Sequence, residues 1–492
     1  MRAAHRLKIR VGLYGLASLT LASPAWSHAI AERYDLPVPL SFYVYGAVAV
    51  VAVTFLITAA FVYAGPREGI ERPLLPSQWT TNRVLRSTLA IALQIIGVAA
   101  LVGVIATGLF GNPHPARNIA PSLVWIMWWC AFSIFVACVA NLWPSLNPWW
   151  TLYGWFARGS ASGGRASPPR IYPDAAAEWP AVALLLIFVW VELISPFSSS
   201  PMALAILAIA YSLLTISAMY AFGPQVWLKR GEVFSLVFGV LSSFAPLGVS
   251  RSDGELSAMD DDTGVWVWRP WSKALFGGAQ HSLAMIALVL LLLSSVLFDG
   301  LLGTGLWRTL EPSLPSDRAG LISGTYGLVA TWFVFLFAYL ITASAMNRIL
   351  GSGFTTLSVA SHYLLTLVPI AVGYNIAHNY SYILLQSQAF VALLSDPFGF
   401  GWNLFGTARW EPDLESIDAR EIWYVAIGAI VFGHVIAVYL AHIVALKTAP
   451  THKLAIYSLI PMTILMLLYT GASLSILAEP IVRFSLPDPG YS

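Results

Sequence analysis

Apolar residues occur along this chain in long uninterrupted runs, rather than in the alternating pattern of strands or the half-apolar pattern of soluble helices. Each of ten runs is near or above the roughly 17 residues that a helix needs to cross the hydrocarbon core. The runs are 40–64, 87–110, 122–143, 181–199, 202–222, 281–300, 321–345, 357–388, 422–446 and 454–478. This pattern predicts an all-α integral membrane protein, a bundle of about ten transmembrane helices.

One of these runs carries a stripe of polar side chains. In GYNIAHNYSYILLQSQ the polar residues Asn375, His378, Asn379, Tyr382 and Gln386 fall within about 100° of one another around a helix. Polar groups are costly in lipid and face other helices or a wet cavity. We therefore expect the stripe to face the bundle interior.

Several segments interrupt the pattern of spans. Pro369, just before the stripe, removes one backbone donor and predicts a kink. Segment 233–248 is apolar but short, which favours an interfacial or re-entrant position. Segment 395–408 is rich in aromatic residues and glycine and is expected at the outer interface. The Gly-, Ser- and Pro-rich stretch 157–178 is typical of a cytoplasmic linker.

Composition agrees with a membrane protein. Of the 492 residues, 58% are hydrophobic and 10% charged, whereas soluble proteins average about 25% charged residues. A net charge of +2 implies no nucleic-acid partner. The two cysteines, Cys130 and Cys138, are eight residues apart, about 12 Å along a helix, which is too far for a disulfide within the chain.

The N-terminus has the pattern of a secretory signal. Arg2, Arg6, Lys8 and Arg10 precede a short apolar run and the small-residue sequence SPAWS, which predicts a cleaved signal peptide, 1–27. The remainder, 28–492, is then expected to be a single polytopic membrane domain whose mature N-terminus is extracytoplasmic.

The distribution of basic residues supports this topology. With ten spans and an external N-terminus, 15 of the 26 Lys and Arg residues lie inside, seven lie outside and four belong to the signal peptide. Cytoplasmic loops of membrane proteins carry such an excess of positive charge. The acidic loop 409–421 falls outside.

Ionisable groups near membrane depth are few, and their rarity there points to function. They are Glu192, His281, Asp299, His362, His378, His434 and His442. Five of the polar residues fall on the predicted outer side and could meet at one site. They are His28, His114, Glu192, Asp299 and His378.

These residue types suit metal-assisted hydrolysis. His, Asp and Glu are the ligands that zinc and related divalent ions prefer, and a bound metal ion makes hydroxide available near neutral pH and polarises a phosphoryl oxygen. We predict a divalent metal ion, zinc or copper, whose candidate ligands are His28, His114, His378 and His434. The candidate catalytic residues are His378, Asp299 and Glu192, with Asn375 and Asn379 orienting the oxygen.

Seven stretches, in this order along the mature chain, together resemble the bacterial polytopic membrane proteins labelled fenitrothion hydrolase. They are AIAERYDLPVPLSFYVYGA, ATGLFGNPHPARNIAPSLVWIMWW, NLWPSLNPWWTLYGW, FGPQVWLKRGEVFSLVFG, LVPIAVGYNIAHNYSYILLQSQ, LSDPFGFGWNLFGTA and GHVIAVYLAH. The resemblance implies hydrolysis of an aryl organophosphorus triester with release of a nitrophenol. It implies a location in a bacterial cytoplasmic (inner) membrane and a small lipophilic substrate that partitions into the bilayer. The resemblance identifies no catalytic residues.

Two further interpretations remain open at the level of sequence. In the first, the protein is an inner-membrane transporter or copper-handling protein, in which the polar groups line a path and His28 binds metal. In the second, it is a redox protein whose haem is held by pairs among His362, His378, His434 and His442. A homo-oligomer or a hetero-oligomer with another membrane subunit is compatible with each interpretation.

Overall fold

The structure is a computed structural model of the chain. It describes residues 39–63, 72–73, 83–159, 170–250, 265–269, 275, 280–317, 320–351, 353–413 and 418–483. Of these described residues, 79% are helical and very few lie in strands, which confirms the all-α class. The predicted signal peptide 1–27 and His28 lie outside the described residues.

Within the described ranges, ten helices are long and apolar enough to cross a membrane, which confirms the predicted number of spans. The helices, in chain order, are α1 (Leu40–Phe61), α2 (Arg83–Phe110), α3 (Ile119–Cys138), α4 (Trp143–Leu146), α5 (Pro148–Gly159), α6 (Trp179–Leu193), α7 (Pro201–Phe222), α8 (Pro224–Arg230), α9 (Val233–Leu241), α10 (Leu283–Leu302), α11 (Gly305–Leu310), α12 (Leu321–Leu350), α13 (Thr356–Leu364), α14 (Val368–Ser395), α15 (Ala419–Thr448) and α16 (His452–Arg483). The short helices α4, α5, α8, α9 and α11 are not spans, and α13 and α14 together form one span, Thr356–Ser395.

Helix α10 lies at the centre of the bundle. Its sequence is apolar around the whole circumference, and its side chains from Ile286 to Ser295 are all buried. A helix that is apolar on every side is one that other elements surround, and α6, α12, α14 and α16 pack against it. Helix α2 is equally apolar, but few of its side chains are buried, as expected of a helix that faces lipid. The centre of the bundle therefore lies around α10.

Pro369 divides the eighth span at the predicted place. A 3-10 turn, Leu365–Leu367, separates α13 from α14, and Pro369 lies in the first turn of α14. The missing N–H of proline is tolerated there, because the first amides of a helix have no intrahelical acceptor. The break sets the direction in which α14 carries the polar stripe into the bundle.

Helices α14 and α15 touch backbone to backbone. A Cβ placed on Gly373 would lie 2.4 Å from the carbonyl oxygen of Ala429, and one on Gly433 would lie 2.5 Å from that of Pro369. Only hydrogen fits at either position without a shift of the backbone. This close contact holds the start of α14 in a defined position against α15.

Helix α3 contains a π-helical segment, Ser122–Phe132. Such geometry is rare and is frequent at functional sites, because the wider turn redirects side chains. The segment packs against α14 and carries Trp129 and Cys130, both of which are buried. The apolar pattern of the sequence did not predict this change of helix type.

Helix α9 is nine residues long, whereas a span needs about 20. Its apolar side chains are buried among aromatic rings of α3 and α6, including Trp128 and Phe188. The fully buried carboxylate of Glu232 accepts hydrogen bonds from the N–H groups of Phe234 and Ser235 and so caps the helix.

Loops that the charge distribution assigns to one side of the membrane do contact each other. On the predicted outer side, the N–H of Asn112 donates to the carbonyl oxygen of Phe398 at 2.8 Å. On the predicted inner side, strands β1 (Arg72–Pro73), β2 (Leu247–Ser250) and β3 (Val265–Trp268) form an antiparallel sheet in the order β1-β3-β2. Which side faces the cytoplasm stays a prediction.

The predicted interfacial segment 395–408 begins with the last residue of α14 and continues as a series of turns. The carboxylate of Asp396 accepts hydrogen bonds from the N–H groups of Phe400 and Gly401. The rings of Phe398, Phe400 and Trp402 contact one another, and Phe400 and Trp402 are exposed. Its position at the outer membrane interface stays a prediction.

Candidate functional site

Two of the predicted site residues form a direct pair across the bundle. The Nε2 atom of His378, on α14, lies 2.6 Å from the Oδ2 atom of Asp299, on α10. The His378 side chain is 11% exposed and that of Asp299 is 39% exposed, so the pair opens to its surroundings on the Asp299 side. An imidazole bonded to a carboxylate is held in one orientation and one tautomer, which is the arrangement of a positioned general base.

The two asparagines of the stripe, Asn375 and Asn379, lie against neighbouring helices. The Oδ1 atom of Asn379 accepts a hydrogen bond from the thiol of Cys130 at 3.4 Å. Its Nδ2 atom donates to the carbonyl oxygen of Asn375 at 3.2 Å. Asn375 lines a small cavity between α3, α9, α10 and α14. The predicted orientation of the stripe towards the bundle interior is therefore present in the structure.

Glu192 joins this cluster from α6. Its carboxyl group is close enough to Trp129 and to Asp299 to interact electrostatically with both. Cys130 interacts electrostatically with both carboxyl groups. Helices α3, α6, α10 and α14 thus bring Glu192, Asp299, His378 and Asn379 together around Cys130 and Trp129.

Two tyrosines of α14 complete the surroundings of the His378–Asp299 pair. The ring of Tyr374 is almost parallel to the His378 imidazole, with centroids 6.3 Å apart. Tyr382 interacts electrostatically with Cys130, Glu192 and Asp299. Sequence reasoning included Tyr382 in the stripe but missed Tyr374, because at about 100° per residue Tyr374 falls outside the arc that the stripe covers.

The site also includes Trp129 and Cys130, which sequence reasoning did not select. Both lie in the π-helical segment Ser122–Phe132, where apolar composition alone indicated an ordinary span. Cys130 was considered only as a disulfide partner, and the structure shows it as a free, buried thiol. The only signal in the sequence was the dense aromatic run WIMWWC itself.

The predicted metal ligands do not assemble in the part of the chain that the structure describes. His114 is exposed in the 111–118 loop, where its Nδ1 atom accepts a hydrogen bond from the N–H of Ala116. His434 is buried and bonds its own helix. Among the described residues, no three His, Cys, Asp or Glu side chains come close enough to hold one metal ion. The metal site therefore stays a prediction, and one of its predicted ligands, His28, lies outside the described residues.

Histidines elsewhere in the bundle are bonded to backbone. The Nδ1 atom of His362 bonds the carbonyl oxygen of Ser358 at 2.6 Å, and the Nε2 atoms of His442 and His452 share the carbonyl oxygen of Val62 at 2.9 and 3.3 Å. The first bond lies within α13, and the other two connect α15 and α16 to the end of α1. The predicted haem pairs stay predictions.

His281 lies just before α10, at the opposite end of that helix from Asp299. The backbone N–H of His281 donates to the hydroxyl of Ser361. The charged and titratable neighbours of its imidazole are Glu178 and His362. Burial lowers the pKa of the His281 imidazole from its ordinary value of 6.5. The neutral ring is therefore the form that the folded protein favours.

Chemically, the cluster combines one positioned base, two carboxyl groups and two amides near a free thiol. A base held by a carboxylate can take a proton from water or from a transported group. The amides can donate to a polar oxygen of a bound molecule. Comparisons with known proteins add no assignment, since no family model, no curated protein and no solved structure matches this chain.

Proposed function

We propose that this chain is a membrane-embedded hydrolase that cleaves the aryl ester bond of lipophilic organophosphorus triesters. The reaction class comes from the resemblance to fenitrothion hydrolase, and the site comes from the geometry. The observation that carries the proposal is the 2.6 Å contact between His378 Nε2 and Asp299 Oδ2. It joins an imidazole and a carboxylate from two helices within the membrane-length part of the bundle.

The pair accounts for the activation of water. When Asp299 accepts the proton of Nε2–H, the basic nitrogen of His378 is Nδ1. A water molecule transfers a proton to Nδ1 while its oxygen attacks phosphorus, and the bond between phosphorus and the aryl oxygen breaks. The products are a dialkyl phosphoric or thiophosphoric acid and an aryl oxide. The aryl oxide takes up the proton from the imidazolium ion, or it leaves as the anion and the imidazolium ion releases its proton to water. General-base assistance of this kind is worth about 10²–10⁴-fold in rate.

The asparagines act on the other reacting atoms. One N–H of the Asn379 amide donates to Asn375, and the second N–H is the donor that we assign to the phosphoryl or thiophosphoryl group. A donor that is fixed before the reaction stabilises charge developing on that group in the transition state. The bond from Cys130 to Oδ1 keeps the amide from rotating.

The membrane location suits the substrate. Aryl triesters of phosphorus are uncharged and lipophilic, so they concentrate in the bilayer. The greater exposure of the Asp299 side chain marks the side from which such a molecule reaches the pair. The metal-activated water that the sequence suggested stays a prediction, and no step above passes through a metal ion.

A transporter is the second candidate, and a specific observation favours it. The cluster of Glu192, Asp299 and His378 gathers ionisable side chains from three helices within the bundle, as proton relays of membrane transporters do. In that case Asp299 and His378 would exchange a proton with a moving substrate, and no bond to phosphorus would break.

Release of nitrophenolate from fenitrothion, followed by absorbance, tests the proposal. Membranes that contain the wild-type chain are compared with membranes that contain His378→Ala at matched expression. Release that is lost in the variant supports hydrolysis at this pair. If release persists in the variant, the chain is still a hydrolase but His378 is not part of its mechanism.

Proteoliposomes separate the two candidates. Absence of nitrophenolate release, together with collapse of an imposed pH gradient that depends on Asp299, would replace the hydrolase by a proton-coupled transporter. Release of nitrophenolate without an effect on the gradient supports the hydrolase.

A further inference from the structure

A small cavity lies about one helical turn from the His378–Asp299 pair, towards the middle of α10. Leucine, valine and alanine side chains of α9, α10 and α14 form most of its wall, and Trp129, Ser133, Tyr374 and Asn375 supply its polar part. The centre of a water molecule can occupy ≈ 10 Å³ of its interior. That space suits about one water molecule and excludes an aryl ring.

Two residues that line this cavity each carry a polar atom without a hydrogen-bond partner within the described part of the chain. The hydroxyl group of Tyr374 and the Oδ1 atom of Asn375 are both buried without a hydrogen bond, and the Tyr374 side chain is 1% exposed. Buried polar atoms are nearly always paired with protein or with ordered water. An apolar occupant would leave both atoms unpaired.

We propose that this cavity is a hydration site, in which an internal water molecule accepts a hydrogen bond from the Tyr374 hydroxyl and donates one to Asn375 Oδ1. The two atoms are complementary, since one is a donor and the other can only accept. Trp129 borders the cavity and also lies near Glu192, so the hydration site adjoins the carboxyl cluster.

The position of this site gives the water a role, and this step rests on the proposed hydrolase function. Asn375 is one helical turn from His378, and the Tyr374 ring packs along the His378 imidazole. Water then reaches the base from the protein interior, whereas the lipophilic triester reaches it from the exposed side of Asp299. Tyr374 and Asn375 are therefore positioning residues that keep the attacking water apart from the leaving group.

A structure at a resolution that shows ordered water tests the hydration site without any assay of activity. The wild-type protein in nanodiscs is compared with Tyr374→Phe, which removes the hydroxyl group, and with Asn375→Leu, which replaces the amide by an apolar group of similar size. We expect density within hydrogen-bonding distance of both atoms in the wild type and loss or displacement of that density in each variant. A dry wild-type cavity, or one that takes up xenon, would overturn the proposal.

Kinetics test the role of the water. Each variant is expected to lower kcat for the triester by about 10- to 100-fold with little change in KM, because the lipophilic substrate binds on the other side of the pair. An unchanged kcat in both variants would overturn the proposal that this cavity supplies the attacking water to His378. Ordered water in a protein without any nitrophenolate release would remove the hydrolase function while leaving the hydration site in place, so the two failures are distinguishable.

Discussion

His378 and His434 are both histidines within membrane-length helices, yet their surroundings differ in one decisive respect. His378 bonds the carboxylate of Asp299 on another helix. His434 bonds the carbonyl oxygen of Ile430, one turn earlier in its own helix, at 2.8 Å. The Tyr469 ring packs beside it, with ring centroids 5.7 Å apart.

The difference teaches how to separate a reactive imidazole from a packed one. A carboxylate partner stabilises the imidazolium form that a general base reaches during reaction. A backbone carbonyl of the same helix fixes the tautomer but carries no charge. We therefore expect His378 to take part in chemistry and His434 to contribute to packing, although sequence alone gave both as candidates.

The largest expected effect comes from exchanging each imidazole for a neutral amide. His378→Gln should lower kcat for triester hydrolysis by about 10²–10⁴-fold, because the base is lost. His434→Gln should change kcat by less than threefold, an order-of-magnitude expectation for a residue outside the chemistry. Initial rates at matched expression in membranes measure both, and equal losses would end the distinction between the two histidines.

The second test concerns Asp299, the carboxylate partner that distinguishes His378 from His434. Asp299→Asn keeps the shape of the side chain but removes its charge, so kcat should fall by about 10²-fold. Asp396→Asn is the matched control, since Asp396 caps a loop turn outside the cluster. A pH–rate profile is the readout, and a profile that Asp299→Asn leaves unchanged contradicts the role of Asp299 in holding the base.

Packing between α14 and α15 positions both histidines, and two glycines of α15 test it. Gly433→Ala places a methyl group against the Pro369 carbonyl oxygen and should lower stability by about 1–3 kcal/mol. A Cβ on Gly428 meets nothing within 4 Å, so Gly428→Ala should leave the melting temperature unchanged or slightly higher. Thermal unfolding in detergent measures the difference, and similar shifts in the two variants would refute the close contact.

The smallest expected effect concerns pH and lies at the other end of α10. Burial lowers the pKa of His281 below its ordinary value of 6.5. At a pH just below 6.5, His281 is therefore protonated more often in the unfolded chain than in the folded protein. The contribution of neutral His281 to stability is full above pH 6.5 and is lost as the pH falls towards the folded pKa.

Replacement of the His281 imidazole tests whether stability changes with pH in this direction. His281→Gln should flatten the decrease in melting temperature between pH 7 and pH 5 relative to the wild type. His114→Gln, in the exposed 111–118 loop, is the control and should retain the wild-type slope. A steeper decrease in His281→Gln would show that the charged form is the one that the fold stabilises.

Most of the architecture could be predicted from sequence because it depends on local properties. The length and hydrophobicity of a run decide whether a helix can cross the bilayer, and all ten predicted spans have a counterpart in the structure. The polar stripe of α14 and the break at Pro369 follow from helical spacing and from the missing proline N–H. The boundaries were less accurate, since α14 extends to Ser395, beyond the predicted 388.

The sequence by itself therefore determined the class of protein, the number of spans and the short set of ionisable residues at membrane depth. Only the tertiary structure decided which of these residues meet. Asp299 and His378 are 79 residues apart and Cys130 and Asn379 are 249 apart, and such pairs depend on how whole helices pack. The π-helical turn that carries Trp129 and the glycine contact between α14 and α15 arise from that packing, because no local pattern of hydrophobicity encodes a partner helix.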